Sequence, residues 1–344
     1  MKKRRLEMEF FGATLFSSLS GTPLMLVSIV IFIVGLVFII KGGDWVVDSA
    51  SWFAEATGIP KFVVGATVVS FATTLPELLV SIRAAMNDSA QLAIGNAVGS
   101  VTANTTLIMG VSLVAMAGAV NRKSFSLKGG LLLASAIVLT VLSLSLSLPK
   151  WSVLILGAIF LTFMISNLIE GKKGAENDEI DAHEKKEVPK KLLFFILGTA
   201  GIIFGAEFLV GSGQTIARGL HISEAIIGFT VIALGTSLPE LVTTLTAIKK
   251  KEAGLSVGNI VGANIIDLTM ILPICALIDG EALPVERVNI VFDFPICILA
   301  CAIAVVPTII SGKFRKWQGF ALLAVYVAYM ACLVLNETGV LAIG

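Results

Sequence analysis

The sequence predicts an all-α polytopic membrane protein with ten transmembrane helices, arranged as two five-helix repeats of opposite orientation. Hydrophobic residues make up 56% of the 344 residues and charged residues only 14%, against about 25% in soluble domains. Apolar stretches long enough to cross a bilayer recur along the chain, and the second half repeats the first at a fixed offset. The near balance of 25 basic and 24 acidic residues argues against a nucleic-acid partner. Membrane transport is therefore the leading class of function.

The first segment, residues 1–22, is predicted to be an N-terminal arm outside the ten spans. Basic residues at positions 2–5 precede an apolar, Ser-containing run that is too short to cross a bilayer comfortably. We expect an interfacial helix, with an additional crossing as the alternative. The much longer apolar stretch that follows argues against a cleaved signal peptide.

The two repeats are predicted over residues 23–169 and 192–344. Apolar stretches of the first repeat fall near 24–50, 60–86, 92–119, 127–148 and 151–169. Those of the second fall near 192–216, 223–248, 254–277, 288–309 and 316–337. The charged segment between them, residues 170–191, is interpreted as a solvated linker.

A shift of 163 residues aligns the two repeats without a gap in their most polar region. Residues 73–78 (TTLPEL) fall on 236–241 (TSLPEL), and residues 95–99 (GNAVG) fall on 258–262 (GNIVG). Chance similarity between apolar helices would not keep proline, glutamate and asparagine in register. Because each repeat has an odd number of crossings, the second repeat must run through the membrane in the opposite direction.

Lysine and arginine residues predict the orientation. One set of connections holds most of the basic residues: Lys41, Lys61, Arg122, Lys123, Lys128, Lys172, Lys173, Lys185, Lys186, Lys190, Lys191, Lys249, Lys250, Lys251, Lys313, Arg315 and Lys316. The opposite set holds only Arg83, Lys150, Arg218 and Arg287. The positive-inside rule then places the central linker in the cytoplasm and both termini outside. The basic residues at positions 2–5 go against this assignment.

Prolines predict a break in one helix of each repeat. Pro76 has no amide hydrogen, so carbonyl groups near Ala72 and Thr73 lose their helical partners. Pro239 has the same effect near Gly235 and Thr236. Free carbonyl groups at membrane depth need another partner, and a bound cation is the natural one. A purely structural kink is the alternative.

Each break is followed by a glutamate. Glu77 shares a helical face with Thr73 and Thr74, and Glu240 stands likewise beside Thr236 and Ser237. Two carboxylates facing one site repel each other unless a proton or a cation lies between them. Calcium takes about six to eight hard oxygen ligands, which suits such a site. A proton shuttle that uses the same pair is the main alternative.

The next helix of each repeat adds a polar stripe. Asn96, Ser100 and Asn104 recur every four residues in the first copy. The second copy has Asn259, Ala263 and Asp267 at the equivalent positions. The neighbouring glycines allow close helix approach. The asparagines are interpreted as cation ligands, with hydrogen bonding between helices as the alternative. Because Asp267 aligns with the neutral Asn104, the site could balance a divalent ion together with sodium or a proton.

These motifs resemble a known family. Residues 73–77 with 95–100, and residues 235–240 with 258–262 and Asp267, resemble the two alpha repeats of the calcium/cation antiporter superfamily, and most of all its prokaryotic sodium/calcium exchangers. The resemblance implies exchange of Ca²⁺ for Na⁺ by alternating access in the prokaryotic inner (plasma) membrane. The cations would bind as substrates, with no cofactor and no enzymatic reaction. Coupling to H⁺ is the alternative, and K⁺ is a further candidate ion.

The resemblance also implies a set of cation ligands. The calcium site would use Glu77, Glu240, Thr73 and Thr236. Flanking sodium sites would use Ser70, Thr74, Ser100, Ala233, Ser237 and Asp267, with Asn104 as a polar counterpart. The moving helices would be the stretches around 26–48 and 195–212. Their aligned acids, Asp44 and Glu207, are interpreted as entrance or helix-end acids rather than ligands.

Two departures from the family pattern affect the expected coupling. The usual Gly-Ser-Asn sequence is Gly99-Ser100-Val101 in one copy and Gly262-Ala263-Asn264 in the other. The missing hydroxyl at Ala263 weakens one sodium site. Proton-coupled members resemble the chain less, because they carry an acid where this chain has Gly99 and Gly262. The pattern therefore favours sodium over protons.

Two other classes of function are disfavoured. A channel could use the same acids, but paired broken helices fit alternating access better. An intramembrane hydrolase would need a nucleophile beside a base, whereas His183 lies in the linker and His221 lies at a helix end. The four cysteines lie in apolar runs without metal-ligand spacing and are interpreted as packing or lipid-facing residues: Cys275, Cys297, Cys301 and Cys332.

Overall fold

The chain folds into a bundle of long helices. The computed structural model describes residues 22–86, 89–175, 182–219, 235, 237–280, 282–337 and 340. In the first half the helices are α1 (Thr22–Thr57), α2 (Lys61–Thr73), α3 (Leu75–Met86), α4 (Ala90–Met116), α5 (Arg122–Leu142) and α6 (Ser152–Ala175). In the second half they are α7 (Ala182–Gly219), α8 (Leu238–Lys249), α9 (Ala253–Asp279), α10 (Asn289–Ser311) and α11 (Lys316–Glu337).

Among these described residues, eight helices are long and apolar enough to cross a membrane. A ninth span results if α2 and α3, which meet at a bend of 46°, are counted as one broken crossing. The predicted polytopic, helical membrane architecture is confirmed at this level. Most of the predicted stretch 223–248 precedes α8 and lies outside the described residues, as do residues 1–21 of the predicted arm.

Helix boundaries in the two halves correspond closely. The helices α3 and α8 begin and end 163 residues apart, and so do α4 and α9. Both α4 and α9 contain a π-helical turn, Asn104–Ile108 in one and Asp267–Ile271 in the other, at the same offset. Such turns insert an extra residue into a helix and often occur at functional sites.

The helices α4 and α9 lie in the centre of the bundle. In their most apolar windows 78% and 83% of the residues are buried, against 17% in α1 and α11. Apolar side chains of both halves share one core, for example Ala97 and Val101 of α4 with Ile260 and Ile265 of α9. The peripheral helices instead present apolar side chains outward, as a lipid-facing surface requires.

The two longest helices, α1 and α7, cross through glycines. A Cβ atom added to Gly42 would lie 2.6 Å from the carbonyl oxygen of Gly198, and one added to Gly205 would lie 2.8 Å from that of Gly35. Real Cβ atoms do not approach other atoms so closely, so the backbones meet directly. Gly35 and Gly198 are equivalent under the 163-residue shift, as are Gly42 and Gly205.

Short extended segments link the two halves, which the sequence does not predict. The strand β1 (Ser147–Pro149) follows α5 and pairs antiparallel with β2 (Ala282–Pro284), which follows α9. An isolated bridge joins Ala119, after α4, to Lys313, after α10. The helix α5 runs from one pairing to the other, so the two pairings lie at opposite ends of the bundle.

Several boundaries differ from the predicted ones. The helix α5, predicted over 127–148, begins at Arg122, where the Asn121 side chain accepts a hydrogen bond from the Ser124 amide at 3.2 Å. It ends at Leu142. The predicted linker 170–191 is largely helical, because α6 continues to Ala175 and α7 begins at Ala182.

Candidate cation-binding site

The bend between α2 and α3 and the beginning of α8 share one local geometry. Thr74 joins α2 to α3 with φ −84° and ψ −1°, and Ser237 precedes α8 with φ −84° and ψ 4°. Pro76 and Pro239 are each the second residue of the helix that follows, where a missing amide hydrogen breaks no helical bond within that helix. The Ala72 carbonyl group of α2 loses its usual partner at Pro76, as predicted.

Both glutamates lie in the first turn of the helix that follows a break. Glu77 is 1% exposed on α3 and Glu240 is fully buried on α8. The partial positive charge of a helix N-terminus favours a carboxylate at this position. Within the described part of the chain, neither carboxylate oxygen of Glu77 has a hydrogen-bond partner, and Oε2 of Glu240 also has none. Oε1 of Glu240 accepts a hydrogen bond from the Thr74 hydroxyl at 3.3 Å.

Asp267 and Asn104 each begin one of the equivalent π-helical turns. Both residues are buried, and their side-chain oxygen and nitrogen atoms make no hydrogen bond to the residues that the structure describes. Glu77 lies within electrostatic range of both Glu240 and Asp267. Burying several carboxylates together without partners is costly, so this arrangement requires bound cations or protons.

The predicted hydroxyl ligands are buried around these acids or along the same helices. Ser70, Thr73 and Thr74 lie at the end of α2 and at the bend, and Ser237 lies at the start of α8 with its hydroxyl unpaired among the described groups. The Thr74 hydroxyl also lies 2.7 Å from the Ser70 carbonyl oxygen. Ser100 is buried on α4. Two further predicted ligands, Thr236 and Ala233, lie outside the described residues.

Comparison with known proteins shows which family the chain belongs to. The family model described as "Sodium/calcium exchanger protein" matches residues 27–168 and 190–335, which together are most of the chain. The chain belongs to the sodium/calcium exchanger family. Its members are transporters of cations, and this exchanger is accordingly an integral membrane protein.

Individual relatives cover nearly the whole chain. It is 32% identical over 306 residues to the uncharacterized membrane protein MJ0091 of Methanocaldococcus jannaschii, covering 88% of this chain and 96% of that protein. It is 28% identical over 346 residues to the sodium/calcium exchanger MaX1 of Methanosarcina acetivorans, covering 89% and 98%. A solved structure of the sodium-calcium exchanger NCX_Mj, soaked with Na⁺ and Sr²⁺, matches with a TM-score of 0.78 and 30% identity, covering 89% of this chain and 98% of that chain.

Unlike Asn104, the other two asparagines of the polar stripe, Asn96 and Asn259, are engaged with protein groups. The Asn96 amide nitrogen donates to the Glu77 carbonyl oxygen at 3.1 Å and to the Ser81 hydroxyl at 2.9 Å. The Asn259 amide nitrogen donates to the Thr243 hydroxyl at 3.0 Å. These contacts favour the alternative interpretation, hydrogen bonding between helices. Sequence reasoning misses Ser81 and Thr243, because hydroxyl residues one turn after a glutamate are common in helices.

Acids on the long helices lie apart from this cluster. Asp44 of α1 contacts Lys250, whose ammonium group lies 3.6 Å from the Asp44 carboxylate and 2.7 Å from that of Asp48. Glu207 of α7 interacts electrostatically with Arg83. The structure places neither acid at a helix end, because α1 continues to Thr57 and α7 to Gly219. That Asp44 and Glu207 are entrance acids rather than ligands stays a prediction.

Within the described ranges, no three His, Cys, Asp or Glu side chains are close enough together to enclose a metal ion. A cation at this site would therefore also depend on hydroxyl and carbonyl oxygens. The four cysteines are unpaired, and three of them are buried, in agreement with their interpretation as packing residues.

Proposed function

We propose that this exchanger moves Ca²⁺ against Na⁺ by alternating access, with Ca²⁺ bound between Glu77 and Glu240. One observation carries the proposal. Two buried glutamates occupy equivalent positions after two equivalent helix starts, and three of their four carboxylate oxygens have no hydrogen-bond partner in the described structure. Free carboxylate oxygens in a water-poor interior are what a divalent ion needs to replace its hydration shell.

The proposed ligands form one set around these two carboxylates. We assign Glu77, Glu240 and the Thr73 and Thr236 carbonyl groups to Ca²⁺. The sodium ligands we propose are Ser70, Thr74, Ser100, Ala233, Ser237 and Asp267, with Asn104 beside them. The two loads compete because the same carboxylates cannot neutralise both. The similar NCX_Mj, which is named a sodium-calcium exchanger, supports Na⁺ and Ca²⁺ as the two loads.

Sodium is the proposed coupling ion, with H⁺ as the alternative. Gly99 and Gly262 stand where proton-coupled relatives would carry an acid, and the similar MaX1 is named a sodium/calcium exchanger. The buried Asp267 would be the proton carrier in the alternative mechanism, and K⁺ would be a further candidate ion.

The proposed arrangement is two inverted five-helix repeats with ten crossings. The equal offsets of α3 with α8 and of α4 with α9 support it. The glycine contacts between α1 and α7 also support it, because each contact maps onto the other when the repeats are exchanged. The pairing of β1 with β2 joins the end of α5 to the end of α9, which requires these helices to end on the same side. Since α5 and α9 are the fourth and third helices of their proposed repeats, this pairing supports repeats that run in opposite directions.

The proposed movement is a sliding of α1 and α7 across the remaining helices. Their mutual contact through glycines lets the pair move as one body, while α4 and α9 hold the site. Moving one net charge through a membrane potential of about 100 mV changes the free energy by about 2.3 kcal/mol. The number of Na⁺ ions exchanged for each Ca²⁺ therefore sets the largest Ca²⁺ gradient that the exchanger can maintain. We propose a prokaryotic inner membrane with residues 170–191 in the cytoplasm.

Radioactive calcium uptake into proteoliposomes tests this function. Vesicles loaded with sodium should take up calcium, whereas sodium-free vesicles with only a pH gradient should not. Glu77→Gln and Glu240→Gln should each abolish uptake, because an amide cannot replace a carboxylate that balances Ca²⁺ charge. Glu286→Gln, which neutralises an exposed acid on the connection before α10, is the matched control and should retain uptake.

Three outcomes would contradict the proposal. Uptake driven equally by a pH gradient would establish proton coupling. Uptake that does not saturate and needs no counter-ion would indicate a channel. Uptake that survives both glutamine substitutions would rule out the proposed site.

A further inference from the structure

The buried side-chain amide of Asn259 links the end of α2 to α8. Asn259 lies on α9 and is 1% exposed. Its side-chain oxygen accepts a hydrogen bond from the Thr73 hydroxyl at the end of α2, at 3.2 Å. Its side-chain nitrogen donates to the Thr243 hydroxyl on α8, at 3.0 Å. One side chain on the central helix α9 thus contacts a residue beside each of the two site glutamates.

The surrounding hydrogen bonds determine which way this amide points. The Thr243 hydroxyl lies 2.9 Å from the Pro239 carbonyl oxygen and 3.0 Å from the Glu240 carbonyl oxygen, and both of these groups can only accept. The single hydroxyl hydrogen of Thr243 is therefore committed to α8 itself, and Thr243 must accept from Asn259. The amide nitrogen consequently faces Thr243, and the amide oxygen faces Thr73.

The orientation of the amide controls the orientation of the Thr73 hydroxyl. This hydroxyl also lies beside the Glu240 carboxylate, and it has only one hydrogen to give. The Ser70 carbonyl oxygen is a further acceptor at 3.4 Å, a longer contact than the one of 3.2 Å to Asn259. When that hydrogen points to Asn259, it is drawn away from Glu240. The lone pairs of the Thr73 hydroxyl and the charge of the carboxylate are then both left for a cation.

We propose that Asn259 is a positioning residue for the cation site, acting through the Thr73 hydroxyl, with Thr243 holding the amide in its working orientation. The inference rests on the proposed function, because the cation it serves is the calcium bound between the two glutamates. It assigns to Asn259 an effect on cation affinity without direct contact with the ion.

The test measures the calcium dependence of uptake into sodium-loaded proteoliposomes. Asn259→Ala should raise the half-saturating Ca²⁺ concentration about five- to tenfold, the effect of one well-formed buried hydrogen bond, with the maximal rate unchanged. Thr243→Val is nearly isosteric and should raise it similarly, because the amide is no longer held. Thr244→Val is the matched control, since Thr244 is an equally buried neighbour whose hydroxyl has no partner among the described residues. It should leave the half-saturating concentration unchanged.

A double variant tests whether Asn259 acts through the Thr73 hydroxyl. Thr73→Val keeps the Thr73 carbonyl group but removes the hydroxyl, so adding Asn259→Ala to it should cause no further rise. An additive rise, or an Asn259→Ala variant that loses only maximal rate in proportion to folded protein, would overturn the inference.

The two proposals can fail separately. If the wild-type protein shows no sodium-dependent uptake, the exchange proposal fails. Titration of the purified variants with Ca²⁺ alone, by calorimetry, then still tests the positioning role, and equal affinities of the wild type and Asn259→Ala would overturn it.

Discussion

Gly262 on α9 faces α2 with no room for a side chain. A Cβ atom at this position would lie 2.5 Å from both the Ala66 carbonyl oxygen and the Ser70 hydroxyl. We expect Gly262→Ala to lower the free energy of unfolding by about 1–3 kcal/mol, because α9 must move away from α2. Thermal unfolding of the purified protein in detergent measures this loss.

The control for this prediction is Gly157→Ala on α6. An added Cβ atom there meets no described atom within 4 Å, so alanine should be neutral or slightly stabilising through its higher helix propensity. Equal unfolding temperatures for the two alanine variants would contradict the predicted steric conflict.

An ion pair between a buried lysine of α5 and a glutamate of α6 lies beside the first turn of α2. The Lys128 ammonium group is almost fully buried, 2.8 Å from a Glu170 carboxylate oxygen and 4.8 Å from the centre of the Phe62 ring. We expect Lys128→Met to destabilise the protein by about 2 kcal/mol, since Glu170 keeps its charge without a cation. Adding Glu170→Gln should recover most of the loss, and thermal unfolding measures both. No recovery in the double variant would show that the lysine acts through packing alone.

Residue types in the site are predictable from sequence, but their partners are not. The register of Pro, Glu and Asn in both repeats is enough to identify Glu77 and Glu240. The sequence predicts Lys128 in a cytoplasmic connection, whereas the structure buries it on α5 against Glu170. Nothing in the sequence marks a residue 42 positions later as its partner. The sequence likewise predicts Asn259 as a cation ligand, because its hydrogen bonds depend on where α2 and α8 lie and cannot be read from the sequence.

At the scale of elements, ion pairs hold α1 against the turn between α8 and α9. Lys250 contacts Asp44 and Asp48 on α1, and Glu252 contacts Lys61 at the start of α2. Partly exposed pairs contribute at most about 1 kcal/mol each. They hold the second half of α1 weakly enough for it to move.

We therefore expect Lys250→Gln to increase amide hydrogen exchange in the second half of α1 by about fivefold, the equivalent of about 1 kcal/mol. Mass spectrometry of exchange in detergent or nanodiscs would measure it. The exposed neighbour Lys249 has no ion pair within the described residues, so Lys249→Gln is the matched control. A similar increase in both variants would contradict the prediction.

Helix existence is easier to predict than helix ends. Apolar length alone locates the long helices, because each must span the bilayer. The extension of α7 back to Ala182 adds a segment rich in Lys and Glu, and that of α1 to Thr57 adds a segment interrupted by Glu55. Apolar length gives no signal for either extension. The strands β1 and β2 are three residues each and form only because segments distant in sequence meet.

At the scale of the whole molecule, the distribution of basic residues predicts the orientation in the membrane. In a background with the four native cysteines replaced, Lys172→Cys should react with a membrane-impermeant maleimide only from the cytoplasmic side. Lys150→Cys should react only from the outside. Both lysines are exposed on their helices or turns, so access does not limit the reaction. Labelling of both positions from the same side would contradict the predicted topology.

During synthesis, β1 can pair with β2 only after the chain between them has been made. Leu148 and its partner Leu283 are 135 residues apart in the chain. At ordinary rates of translation, β2 emerges on the order of ten seconds after β1. The helix α9, which shares its core with α4, also arrives only then. Throughout that interval the first half of the chain must rest in the bilayer with Glu77 and Asn104 lacking the helices that will cover them.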